Sequence, residues 1–307
     1  MGNRIMFIVN PASSNGKTRR RWPLIKNILD TKGVDYDFRM TGGPLEAMEL
    51  TRNSLLEGFP VVTAVGGDGT LNEVVNGFYL VDGDLRSRAS LGVISMGTGS
   101  DFRRTAGIPK NPGDAVETIV RGRGSWLDVG RIIYTRTDGE KGERYFINVA
   151  DVGMGGETAQ RVNNTSKVLG GFVSFLWGVM VSIVLYRNKE VTVLVDDVAV
   201  WEGKGVTVAL GNGRFFGGGM MIAPQAMLDD GLLDITLLPD FNKARLFMSL
   251  PRVYSGRHLD LKGVKYLRGK KISIASPDTV LLEVDGEIPG ILPVEAEILP
   301  GSLRVLV

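Results

Sequence analysis

The sequence predicts two domains of different class, a doubly wound parallel α/β domain followed by a mostly antiparallel β domain. Up to about Gly122, apolar strand-length runs alternate with segments of helical spacing, the pattern of a parallel sheet wound by helices. From Trp126 onward, short β-patterned runs dominate, many of them divided by turn signals. A chain of 307 residues is long enough for two such cores.

The elements follow from local pattern. Ile5 to Val9 reads as a strand, and Leu24, Ile25, Ile28 and Leu29 mark a helix closed by Gly33. Val34 to Met40 is a second strand, and Pro44 opens a helix ending near Gly58. Val61 to Val65 is a buried strand, followed by Leu71, Val74, Val75 and Phe78 at helical spacing. Leu91 to Ser95 is a strand, and Asn111-Pro112 opens a helix that stops before Gly122. The later strands are Trp126 to Tyr134, Tyr145 to Val149, Glu190 to Val195, Val206 to Leu210, Leu233 to Leu238, Lys271 to Ala275 and Val280 to Val284. A helix near Ala244 to Leu250 interrupts them, and Leu303 to Val307 is a last strand returning to the first domain. The expected boundaries are 1–128 with a returning 296–307, and 129–295. A ligand is expected in the cleft between them.

Composition removes several function classes. With 43% hydrophobic and 23% charged residues the chain is globular, and a net charge of +2 argues against nucleic acid as partner. No cysteine is present, which excludes disulfides and thiolate chemistry. The single histidine, His258, would have to serve any Ser-His-Asp triad and is expected at the surface instead. Met1-Gly2-Asn3-Arg4 leads straight into a strand, with no cleavage site after it, so no secretory leader is expected. Val168 to Tyr186 holds no charge and is long enough to span a bilayer. It also lies between two strands of one domain, and a buried or lipid-facing helix is the expectation.

The chemistry concentrates in three loops. Val61 to Val65 runs into Gly66-Gly67-Asp68-Gly69-Thr70-Leu71-Asn72-Glu73, where glycines and a helix N-terminus offer N–H groups to phosphate. Asp68 repels phosphate unless a divalent cation lies between them; otherwise it caps a tight turn. The spacing is not the dinucleotide fingerprint. Asn10-Pro11-Ala12-Ser13-Ser14-Asn15-Gly16-Lys17 follows the first strand, and Ser95-Met96-Gly97-Thr98-Gly99-Ser100-Asp101-Phe102 covers the end of the Leu91 strand and the loop after it. In a parallel sheet all three reach one edge.

These motifs, in this order, resemble the catalytic domain of diacylglycerol, sphingosine and ceramide kinases. Downstream, Gly211-Asn212-Gly213, Gly217-Gly218-Gly219, Ala223-Pro224, Leu228-Asp229-Asp230-Gly231 and Val284-Asp285-Gly286-Glu287 resemble the soluble bacterial lipid kinases, so the likeness spans nearly the whole chain. It implies a Rossmann-like, phosphofructokinase-like first domain and a β-sandwich-like second one. It also implies ATP as phosphate donor, held by Asn10, Pro11, Ala12, Ser13, Gly16, Thr41, Gly66, Gly67, Asp68, Gly69, Thr70, Leu71, Asn72 and Thr98. A structural magnesium ion is implied at the carbonyls of Met227 and Leu232 and the side chain of Asp230, a stretch that otherwise reads as a turn. Asp68, Asp101 and Asp128 would organise catalytic magnesium, partly through water, and Glu287 would be the general base. Without the resemblance, Asp285-Gly286 is a hairpin turn.

The implied acceptor is the hydroxyl of a membrane lipid such as diacylglycerol, met by a cytoplasmic enzyme peripheral to the inner membrane face. A homodimer is compatible with this. The basic cluster Lys17, Arg19, Arg20 and Arg21 suits an anionic surface or simply a solvated helix start. Two positions depart from the family: Ser100 stands where Asn is usual, and Arg103 where a small residue is usual. The rivals are an NAD kinase or phosphofructokinase, which share Gly66-Gly67-Asp68-Gly69, and a catalytically silent lipid-binding module.

Overall fold

A computed structural model describes residues 4–97, 99–164 and 171–307, without the side chains of 163, 164 and 171–174. Thr98 and the first part of the Val168 to Tyr186 segment therefore lie outside the described residues. The chain forms two compact units, Met1–Asp128 with Gly301–Val307, and Val129–Pro300.

The first unit is built on parallel pairing. Strand β1 (Ile5–Val9) lies between β2 (Tyr36–Met40) and β3 (Val61–Gly66), and β3 pairs with β4 (Ser90–Ser95). The far end of β14 (Glu287–Leu306) joins β4 in parallel through Val305 and Leu91. Ile5, Phe7 and Val9 pack with Trp22, Ile25 and Leu29 of α1 (Ser13–Thr31) and with Val116 and Ile119 of α6 (Pro112–Arg121). Met6 and Ile8 are equally buried, as alternation along a strand covered on both faces requires. Between β2 and β3 lies α2 (Glu46–Leu56), which packs on α3 (Asp68–Phe78). Pro44 precedes this helix by two residues; Leu45, at φ 65°, makes the entry. The caps of α6 are those expected: Asn111 accepts from Gly113 N at 2.7 Å, and Gly122 ends the helix at φ 67°. Two short helices lacked a sequence signal, α4 (Gly83–Ser87) and α5 (Asp101–Ala106).

The strands of the second unit pair in antiparallel ladders. β10 (Leu233–Pro239) lies between β11 (Lys265–Gly269) and β9 (Val198–Gly211), and β9 continues to β7 (Val149–Gly153) and then β13 (Leu281–Val284). β12 (Lys271–Ala275) joins β8 (Lys189–Val195) to β14, and β5 (Gly124–Thr135) pairs with β6 (Lys141–Phe146). One apolar core gathers Phe146, Ala150, Val152, Val193, Leu210, Leu282 and Val284. Another joins Val179 and Ile183 of α8 (Gly171–Leu185) and Leu246 and Val253 of α9 (Lys243–Tyr254) to Val206 and Ala209. Helix α7 (Met154–Asn164) packs on α8 and β13.

Three expectations change here. The run Tyr145 to Val149 is not one strand, because the chain bends at Ile147-Asn148 between β6 and β7. Leu303 to Val307 is the end of a 20-residue strand rather than a separate one. His258 is fully buried, with Nε2 3.2 Å from the Ile222 carbonyl, because backbone partners at Ile222 and Arg252 let the ring join the core. Burial holds its pKa below the usual histidine value, so the ring is neutral.

Candidate active site

The registers of the parallel sheet bring the three loops to one edge. Val9 stands opposite Val65, and Gly66 opposite Ser95, so Asn10, Gly67 and Met96 leave neighbouring strands side by side. Thr41 joins them, its N–H donating to the Val9 carbonyl at 2.9 Å. Side chains then lock the loops together. Asn10 Nδ2 donates to Thr70 Oγ1 at 3.0 Å, while Asn10 Oδ1 accepts from Ala12 and Ser13 N–H at 3.0 and 3.2 Å. Ser14 Oγ donates to the Met96 carbonyl at 2.5 Å. Left-handed φ values at Ser14, Asn15 and Gly16 turn the first loop before regular helix begins. Pro11 is buried beneath this loop.

The second and third loops touch backbone to backbone. A Cβ on Gly97 would lie 2.9 Å from Gly67 Cα, and one on Gly66 only 2.4 Å from Thr70 Oγ1. Both positions therefore require glycine. Asp68 Oδ2 accepts from Ser100 N at 2.9 Å. The carboxylate caps not its own helix but the neighbouring α5. Burial raises its pKa, and the N–H groups of Ser100 and Asp101, with Arg104, pull it back. Ser100 sits at φ 53° and donates its hydroxyl to the Gly97 carbonyl at 2.9 Å. Asn tolerates that left-handed conformation better than most residues, which gives a physical reason for its use there. Arg103 lines a narrow recess with Gly66, Gly67, Asp68, Leu71 and Ser95. Leu71 N–H bonds back to Gly67, and buried Asn72 accepts from Asn76, so both hold the helix start. Gly69 lies in the first turn of α3.

Asp101 and Asp128 are both buried in this unit. Asp101 meets Arg104 at 3.4 Å, and Asp128 accepts from Gly301 N at 2.7 Å. Among the described residues, no three His, Cys, Asp or Glu side chains are grouped to hold a metal ion.

In the second unit, Val284 pairs with Glu287 across a two-residue turn, as Asp-Gly predicts. Glu287 is exposed at the start of β14. Asp285, at φ 48°, accepts from the N–H groups of Ile147, Asn148 and Val149 at 3.0, 3.1 and 3.0 Å. That clamp bends β6 into β7, and only pairing between residues 136 to 138 positions apart makes it visible.

Residues 4–132 match the diacylglycerol kinase catalytic domain, and residues 148–307 match the YegS C-terminal NAD kinase beta sandwich-like domain. The chain belongs to the diacylglycerol kinase catalytic-domain family. A protein of Xanthomonas euvesicatoria named "Probable lipid kinase YegS-like" is 31% identical, covering 95% of this chain and 93% of its own. A diacylglycerol kinase of Staphylococcus saprophyticus is also 31% identical, covering 95% and 92%. A crystal structure of a diacylglycerol kinase from Bacillus anthracis superposes with a TM-score of 0.71 at 20% identity, over 99% of this chain and 96% of that one. Another structure from that organism reaches 0.79 at 24% identity, over 99% and 95%. These two support the fold.

Membership in the diacylglycerol kinase family makes this chain a kinase, a phosphotransferase that takes phosphate from ATP. The structural magnesium implied at Asp230 does not fit the residues present. Asp230 Oδ1 accepts from Leu232 N at 3.1 Å, and Oδ2 pairs with Arg268. Arg268 also reaches Asp234 at 3.3 Å. The cation of this turn is a guanidinium, which already holds the Asp230 carboxylate.

Proposed function

We propose that this kinase transfers the γ-phosphate of ATP to the hydroxyl of a membrane lipid of the diacylglycerol type. The observation that carries the reading is the locking of three glycine-bearing loops at one sheet edge through the Asn10–Thr70, Ser14–Met96 and Asp68–Ser100 bonds. They present N–H groups at the start of α3, where an anion is favoured. A narrow recess beside them is lined by Gly66, Gly67 and Arg103. Arg103 supplies positive charge there.

Asp68 and Asp101 would hold a magnesium ion together with the nucleotide phosphates, and the ion would neutralise their charge; Asp128 supports the turn at Gly301. In-line transfer needs positioning and charge neutralisation more than covalent help. Glu287 orients the acceptor hydroxyl and takes its proton late.

A lipid acceptor is supported by α8. Among the described residues no helix is long and apolar enough to cross a membrane. Yet Trp177, Met180, Val184 and Leu185 leave an apolar stripe of α8 exposed, with Trp177 at 66%. Lys189, Arg245 and Arg252, on β8 and α9 of the same unit, add positive charge. This combination suits peripheral contact with an anionic inner leaflet.

The test is radiolabelled phosphate transfer into a total lipid extract, with chromatography of the product and NAD as a competing acceptor. Glu287→Gln loses transfer to lipid by roughly 10²-fold or more, the scale of a positioned base, while calorimetric ATP affinity stays the same. Label appearing in NAD, or a Glu287→Gln enzyme as fast as wild type, defeats the reading.

A further inference from the structure

Glu283 is a buried carboxyl with no role in the reaction as drawn so far. It is 6% exposed, on β13, two residues before the Asp285–Gly286 turn. One oxygen accepts from the Gly286 N–H, so the side chain grips the turn from its own strand. The other oxygen is buried and has no hydrogen-bond partner among the described residues. Across the β7–β13 ladder Glu283 stands directly opposite Asp151, and opposed residues share a face. The β13–β14 register slips between Leu282 and Val284, a bulge on the side where Glu287 begins its strand. Bulges of this kind re-aim the side chain beside them.

We propose that Glu283 is the positioning residue for Glu287: its carboxyl holds the Gly286 N–H, and so fixes where the first residue of β14 projects. The inference rests on Glu287 acting on the acceptor hydroxyl. The surroundings favour the neutral form of Glu283. Asp151 faces Glu283 from β7, Asp285 from the turn and Glu287 from β14, all carboxylates. The helix packed over β13, α7, carries Glu157 and Arg161, which pair with each other at 2.7 Å. Burial first, and then these like charges, push the Glu283 pKa well above the usual carboxylate value. The Gly286 N–H favours the ionised form, but when pH rises far enough to ionise Glu283 a further negative charge enters the cluster beneath the turn and repels Glu287 from its position.

Two substitutions separate this from a merely structural role. Glu283→Gln keeps an acceptor for Gly286 and carries no charge at any pH. Glu283→Ala removes the grip. Lipid transfer is measured from pH 6 to pH 10 on purified full-length enzyme, with KM for ATP and for diacylglycerol in mixed micelles. Glu283→Gln is expected within about threefold of wild type at pH 7 and without the alkaline fall that wild type shows. Glu283→Ala is expected to lower kcat about tenfold or more, leave KM for ATP unchanged, and add no further loss in a Glu287→Gln background. Full kcat in Glu283→Ala, or a wild-type alkaline limb in Glu283→Gln, overturns the inference. Should Glu283→Ala not fold, the Gln profile alone decides. A fully active Glu287→Gln enzyme would instead remove the base reading on which the inference rests. An inactive Glu287→Gln beside an active Glu283→Ala sinks the inference alone.

Discussion

Asp68 answers the N–H of Ser100, and that single bond decides how its substitutions behave. In Asp68→Asn the side-chain oxygen remains to cap α5, but the charge proposed to meet magnesium is gone. Transfer is expected to fall at least 10²-fold with little change in melting temperature, and turnover within threefold of wild type would remove Asp68 from the mechanism. Asp68→Ala loses the cap as well and is expected to cost about 1 kcal/mol of stability in denaturant titration. The sequence showed an acid among glycines and left two readings open, metal or cap. The structure shows a cap, made not to a local turn but to another loop, 32 residues away; the metal role belongs to the proposed mechanism. His258 was misread for the related reason that burial of a polar ring depends on a distant carbonyl, Ile222, which has no local signature.

The hairpin of β13 and β14 was legible as an element and hidden as a device. Asp-Gly between apolar runs predicts a two-residue turn, and the turn is there. Nothing local says that the Asp285 carboxylate collects three N–H groups at the β6–β7 bend. Asp285→Ala leaves those donors without their acceptor at a buried bend and is expected to destabilise by about 1–3 kcal/mol, read from chemical denaturation. Asp285→Asn, which keeps one acceptor oxygen, is expected to lose less; equal losses would show that the turn rather than the clamp matters. Helix α8 was likewise legible from its uncharged run, while its outward stripe needed the packing of α8 on α7 and α9. Trp177→Ser is expected to weaken binding to anionic vesicles severalfold in co-sedimentation and to leave transfer to short-chain, soluble acceptor unchanged. Unchanged vesicle binding would move the membrane contact elsewhere.

At the scale of the molecule, stability should follow the buried acids. Burial pushes Asp151 up to about 7, against the pull of the Thr207 hydroxyl and nearby N–H groups. Its folded pKa is above its unfolded one, so its contribution is full below the ordinary carboxylate range and is lost as pH rises through about 7. Between pH 4 and pH 7 this amounts to a few kcal/mol at most, and Asp151→Asn is expected to flatten the melting-temperature profile over that range. An unaltered slope would place the titration elsewhere. Magnesium should not change the melting temperature of the wild type, because Arg268 already serves Asp230 and Asp234. Arg268→Ala leaves Asp230 and Asp234 without their guanidinium and is expected to cost on the order of 1 kcal/mol, discounted for an arginine partly exposed to solvent. Partial recovery with magnesium in that variant alone would confirm the guanidinium as the cation of this turn; a wild type that melts higher with magnesium would refute it.

Alternation of strand and helix, glycine at the tight approaches, caps such as Asn111 and Gly122, and the Asp-Gly turn were determined by the sequence alone. Each is a local conformational preference of a few adjacent residues. The tertiary structure decided which loops met, which acid capped which helix, that an arginine took the place expected of a metal, and that Glu283 lay opposite Asp151. Those outcomes depend on strand register, which sums weak pairings over the whole sheet and is written at no single position.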